Sequence, residues 1–126
     1  MKRLEVKYVR DGCKAEYDKD NECYICKTNI NLELHHYYSL TPLWNKWKQD
    51  NGININSVDD VLKFREIFKE DHFKEIYEEV VTLCKYHHMD KLHKIYGKTP
   101  ALHTAKKQMR WVEIQRRKLW ESKVSQ

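Results

Sequence analysis

Two hydrophobic periods alternate along the chain. Leu32-Glu33-Leu34-His35-His36 alternates apolar and polar, the period of a short half-buried strand. Val80-Val81-Thr82-Leu83 is short and β-branched and predicts a second strand. Between them the spacing turns helical. Leu43, Trp44 and Trp47 after Pro42 predict one or two helical turns, and Asn51-Gly52 marks a loop. Val58, Val61, Leu62, Arg65 and Phe68 predict a helix to about Lys69, with Ser57 and Asp60 resembling a capping box. Asp71 is expected to cap a second helical piece carrying Phe73, Ile76 and Tyr77. Residues 1–20 read as a helix or an irregular arm. A short helix is expected from His88 to about Tyr96, closed by Gly97. Thr99-Pro100 would open the last helix with Pro at its first position. Leu102, Met109, Trp111, Val112, Ile114, Leu119 and Trp120 supply that helix's apolar positions.

These elements predict a helix-rich α+β fold: two strands, a helical segment inserted at about 42–79, and a C-terminal helix over 98–126. A length of 126 residues fits a single domain. Three Gly and two Pro are too few for the many turns of a sandwich or barrel. An aromatic content of 12% argues against disorder. No run of about 18 apolar residues exists, so no membrane span is expected. The start, MKRLEVKYVRDG, lacks the apolar stretch of a signal peptide, so a cytoplasmic location is expected.

The formal charge of +5 conceals a steep gradient. Residues 50–79 carry four basic and nine acidic side chains, whereas residues 80–126 carry eleven and three. A basic face of this size suits phosphate backbones or an anionic membrane surface, although a merely solvated helix face has the same composition. Lys106, Arg110 and Arg117 fall near one face of the last helix and are the candidate phosphate contacts.

Cysteine spacing brings in metal chemistry. Cys23-x-x-Cys26 is half of a tetrahedral zinc site, and Cys84-x-x-His87 repeats its spacing. A Cys3His site from Cys23, Cys26, Cys84 and His87 follows, with Cys13 as a reserve ligand. The ion would be structural, tying together knuckles about sixty residues apart. A redox pair at Cys23 and Cys26 is the competing reading, but the chain lacks a thioredoxin-like βαβ context.

Five of the seven histidines form two groups, His35-His36 and His87-His88 with His93. Joining the knuckles through zinc also joins the histidines. Imidazoles converging beside a basic helix suit a hydrolytic divalent-metal site, with one His as general base. His93 stands five residues past His88, whereas one face of an α-helix repeats every three or four, so it ranks below the others as a ligand. Adjacent strand residues 35 and 36 point to opposite faces, so both reach one phosphate only if the strand ends or bends at Tyr37–Pro42.

C-x-x-C, then Leu34-His35-His36, then Leu83-Cys84-x-x-His87-His88 over residues 20–97 resembles the HNH endonuclease pattern of the His-Me finger, or ββα-metal, superfamily. Tyr96-Gly97-Lys98 is similar to phage-type members. The resemblance implies that residues 1–126 form one HNH nuclease domain. It implies a two-stranded ββα-metal core stapled by zinc. His35 then matches a catalytic metal ligand, His36 the general base and His88 the final metal ligand. His87 replaces a zinc Cys. Where the family carries its middle Asn this chain has Glu79, which could accept a hydrogen bond from His36 or ligate the metal; Asn45 is the weaker substitute.

The implied activity is one-metal hydrolysis of DNA phosphodiesters with Zn2+ as structural ion and Mg2+ or another divalent metal as catalytic ion. His36 takes a proton from water, so activity would fall below about pH 6.5. The implied partner is the DNA backbone, and a phage-encoded enzyme would act in the bacterial host cytoplasm. The alternative is a catalytically silent zinc module that binds nucleic acid or a protein, which Glu79 in place of Asn favours.

Overall fold

A computed structural model describes residues 2–124. The order is α1 (Lys2–Lys14), β1 (Leu32–His36), α2 (Leu40–Asn51), α3 (Val58–Asp71), a π-helical turn (Lys74–Glu78) and β2 (Val80–Cys84). A longer π-helical segment (Tyr86–Leu92), α4 (His93–Tyr96), a 3-10 turn (Leu102–Thr104) and α5 (Ala105–Val124) follow. The fold is helix-rich α+β, with one two-stranded antiparallel sheet. The register pairs Leu32 with Cys84 and His36 with Val80. No helix among the described residues is long and apolar enough to cross a membrane.

The sequence divides its apolar residues between two cores. One packs Ile25, Tyr37, Val81, Leu83, Leu92 and Val112 around the strands and the cysteines. The other packs Val9 and Cys13 of α1 against Trp44, Trp47, Val61 and Phe68 of the inserted helices. Trp44 and Trp47 stack at 5.4 Å, and the Trp44 indole donates to Glu5 Oε1 at 2.7 Å. Lys48 also binds this buried carboxylate, so the charge is paired rather than stranded. Gly12 lets α1 approach α3, because a Cβ there would lie 2.8 Å from Arg65 Cδ.

Several boundaries differ from the periodicity. The segment around Trp44 is a three-turn helix that starts at Leu40, so Pro42 sits inside its first turn, where no N–H is missed. Ser57 does cap α3, its side chain accepting from the Asp60 N–H, a contact worth about 1 kcal/mol. Asp71 is not a cap: it lies within α3 and accepts from the Trp47 indole. Residues 2–14 are a regular helix. The last helix begins at Ala105 rather than Pro100, whose carbonyl instead accepts from Ser39 Oγ.

Candidate active site

The cysteine cluster assembles from two turns. In the first, the Lys27 N–H donates to Cys23 O, and Lys27 takes the left-handed conformation (φ 64°) that reverses the chain. The second follows β2 directly, where Lys85 N–H donates to Asn31 O. The ligand atoms of Cys23, Cys26, Cys84 and His87 all lie within 4.8 Å of one another. Cys26 Sγ and Cys84 Sγ are 3.8 Å apart, and His87 Nδ1 is 3.3 Å from Cys84 Sγ and 3.9 Å from Cys23 Sγ. A tetrahedral zinc with bonds of about 2.3 Å to sulfur and about 2.0 Å to nitrogen sets its ligand atoms roughly 3.5–3.8 Å apart. The donor set therefore fits zinc. Burial pushes the Cys23 thiol up, but N–H groups of Cys26, Cys84 and Ile25 hold it below its ordinary value, whereas burial raises the neighbouring Cys26 thiol to about 11. Cys13 lies in the other core, where burial raises its thiol to about 11.

The second cluster holds His35, His88 and His93, with one ring nitrogen of each within 4.8 Å of the others. His35 Nδ1 is 3.1 Å from His88 Nε2, which is 3.0 Å from His93 Nε2. The outer nitrogens settle the tautomers. His88 Nδ1 meets Glu33 Oε1 at 2.9 Å and His93 Nδ1 meets Gly97 O at 2.7 Å, and these oxygens accept only. His35 Nε2 meets Gln108 Oε1 at 2.7 Å. The amide nitrogen of Gln108 already donates to Tyr37 O and Thr104 Oγ1, so its oxygen is the acceptor. All three outer nitrogens thus donate, and all three inner nitrogens present lone pairs to one another. Such an arrangement calls for a cation at its centre. A shared proton is disfavoured at His35, which burial pushes down to about 3, and burial lowers His88 too. Outer partners that fix ring orientation are what metal-bound imidazoles require.

His93 enters because Tyr86–Leu92 is π-helical. An i→i+5 turn puts residues five apart on one face, which α-helical spacing would separate. The same wide turn lets neighbours diverge: His87 faces the cysteines and His88 faces His35.

His36 ends β1, and the chain bends there, as the spacing required. Its ring lies 4.7 Å from that of Tyr17. One ring nitrogen donates to the Ile76 carbonyl; the other, Nε2, is buried and has no hydrogen-bond partner among the described residues. Burial pushes its pKa down to about 4, so the expected loss of a neutral base near pH 6.5 moves to lower pH. His35, His36, His88 and His93 line one open cleft of about 650 Å³.

Glu79 does not reach this group among the described contacts. Its carboxylate faces Lys106 Nζ at 3.7 Å, and its carbonyl accepts from the Tyr37 N–H. The Ile76 carbonyl, rather than the Glu79 carboxylate, is the partner of His36. Asn45 lies on a neighbouring groove beside α1. Lys106, Arg110 and Arg117 are exposed on α5 and do not line the cleft. Gln108, Glu33 and the carbonyls of Gly97 and Ile76 escaped the sequence reading. Gln108 alone left a signal, a polar residue between Ala105 and Val112 on the buried face of a helix.

A family model described as a nicking endonuclease family, of the phage T5 type, matches residues 1–124. No solved structure matches the chain.

Proposed function

Since the chain belongs to the phage T5 nicking endonuclease family and is thereby a DNA endonuclease, we propose that it cuts one strand of a duplex at the histidine cleft by an HNH-type, His-Me finger mechanism. Convergence of three imidazole lone pairs beside the unpartnered Nε2 of His36 carries this reading. His35, His88 and His93 hold the catalytic ion. When bound, that ion supplies positive charge to the scissile phosphate and the departing oxygen. His36, turned by the Ile76 carbonyl, accepts a proton from the attacking water at Nε2. Its depressed pKa keeps it neutral and ready to accept across physiological pH. Gln108 and Glu33 keep the ligand rings oriented, while Cys23, Cys26, Cys84 and His87 hold a structural zinc that fixes the two strands. Arg110 and Arg117, with Lys106 partly offset by Glu79, contact phosphates elsewhere on the duplex. Residues 1–126 act as one nuclease domain, working on DNA in the cytoplasm of the host.

Three imidazoles and no carboxylate suit a divalent transition ion such as Co2+ or Ni2+ better than Mg2+, which prefers oxygen ligands. A supercoiled plasmid incubated with the protein and each ion should give open circles, fastest with the transition ions. Wild-type protein that yields no open circles with any of them would leave the silent zinc module as the better account. Glu79 in place of Asn is the feature in that module's favour.

A further inference from the structure

Arg3, Lys7, Arg10 and Lys14 of α1 are all exposed, and none is ion-paired among the described residues. At 3.6 residues per turn they fall within an arc of about 60° and form a stripe roughly 16 Å long. The stripe does not stop at the helix end. Arg3, Lys7 and Arg10 line a groove between α1 and α2, and Arg10 and Lys14 line the histidine cleft, so Arg10 and Thr41 belong to both. Lys19 and Lys98 add two more cations to the cleft wall. Among the described residues no carboxylate lines the cleft, and Glu5, the single one along the groove, is 4% exposed and bound by Trp44 and Lys48. By contrast the cations of α5 from Lys106 to Lys118 do not line the cleft, and Lys106 faces Glu79.

We infer that the α1 stripe is the track along which phosphates of the strand to be cut are led to the histidines, with Arg10 at the junction of groove and cleft. The inference rests on the nicking reading of the same cleft. Successive cations lie about 4.5–6 Å apart along the helix axis, and side chains as long as Arg and Lys can each reach a separate phosphate of one strand. Contacts of this kind position the strand without reading its sequence.

The test uses the full zinc-loaded chain carrying His36→Ala, so that substrate is not consumed, and a short fluorescein-labelled DNA duplex. Affinity is measured against salt for this parent, for Arg3→Ala with Lys7→Ala, and for Arg10→Ala with Lys14→Ala. Each pair should lower affinity at every sequence and flatten the slope by about two, since each lost phosphate contact removes roughly 0.9. Arg10→Lys with Lys14→Arg keeps the charges and should keep the slope, which separates lost contacts from a damaged helix. Lys46→Ala with Lys63→Ala removes as much charge from exposed positions of α2 and α3; this pair should leave the slope near the parent's. A slope unchanged by both α1 pairs overturns the track, and so does equal flattening by the Lys46/Lys63 pair. Nicking by the wild type under those outcomes would leave the activity standing without the track. A flattened slope with no nicking by the wild type would overturn the nicking reading and reduce the stripe to a phosphate-binding surface.

Discussion

His88 and His93 bring their Nε2 atoms to 3.0 Å although five residues separate them. Both outer nitrogens donate to pure acceptors, so two lone pairs face each other at hydrogen-bond distance with no hydrogen to share. The π-helical turn that brings them together is less stable than an α-helical one, and such turns concentrate at functional positions. His93 is therefore expected to be a full ligand. His93→Ala should raise the concentration of divalent ion needed for half-maximal nicking at least tenfold, with the melting temperature little changed. An unchanged ion requirement would remove His93 from the centre.

Gln108 is fully buried and holds His35 through its only free acceptor. Gln108→Leu keeps the bulk and removes that acceptor. Loss of such an outer partner costs roughly 10–100-fold in metal affinity or activity. Titrating nicking with the activating ion should show this as a shifted midpoint that excess ion partly restores. A lower maximal rate with the same midpoint would mean that Gln108 only packs.

The cysteine cluster is expected to carry stability instead. Binding of a structural zinc is worth about 10–16 kcal/mol in small domains, comparable with or above a whole domain's net stability. Cys26→Ser, Cys84→Ser and His87→Ala should lose the tight zinc equivalent and unfold or aggregate. Zinc content and circular dichroism check this, and a variant melting within a few degrees of wild type would contradict it.

Burial depresses His36 from 6.5 to about 4. The folded chain then resists a proton that the unfolded chain accepts. Its contribution to stability is present above about pH 6.5 and is lost as pH falls toward 4. Wild type should therefore lose more stability between pH 6.5 and 5 than His36→Asn does in denaturant titrations. Equal losses would mean that His36 titrates as an exposed histidine. The same depression keeps the base neutral, so nicking should not halve near pH 6.5.

Much of this was legible in the residues because metal ligands obey spacing. C-x-x-C and C-x-x-H place four donors irrespective of the surrounding fold, and both strands next to them are β-branched or alternating. His35, His36 and His88 followed from their adjacency to those turns. What escaped depends on backbone geometry that periodicity assumes away. His93 ranked low because the spacing rule presumed an α-helix. Glu79 was expected beside His36, where the Ile76 carbonyl lies instead, and carbonyls leave no trace in a sequence. The α1 stripe was legible as residues 3, 7, 10 and 14, but only the packing of α1 beside the cleft gives it a destination. The final helix announced itself through charge, which says nothing about the distance from that charge to the site.

Adjacent residues His87 and His88 face two different clusters, and nicking of a supercoiled plasmid by His88→Ala tests the three-histidine centre most directly. The protein should remain folded, keep its tight zinc equivalent, and produce open circles about a hundredfold more slowly than wild type, or slower, with the activating ion, because the ion that would stabilise the departing oxygen loses a ligand. Nicking by folded His88→Ala at the wild-type rate would contradict the account.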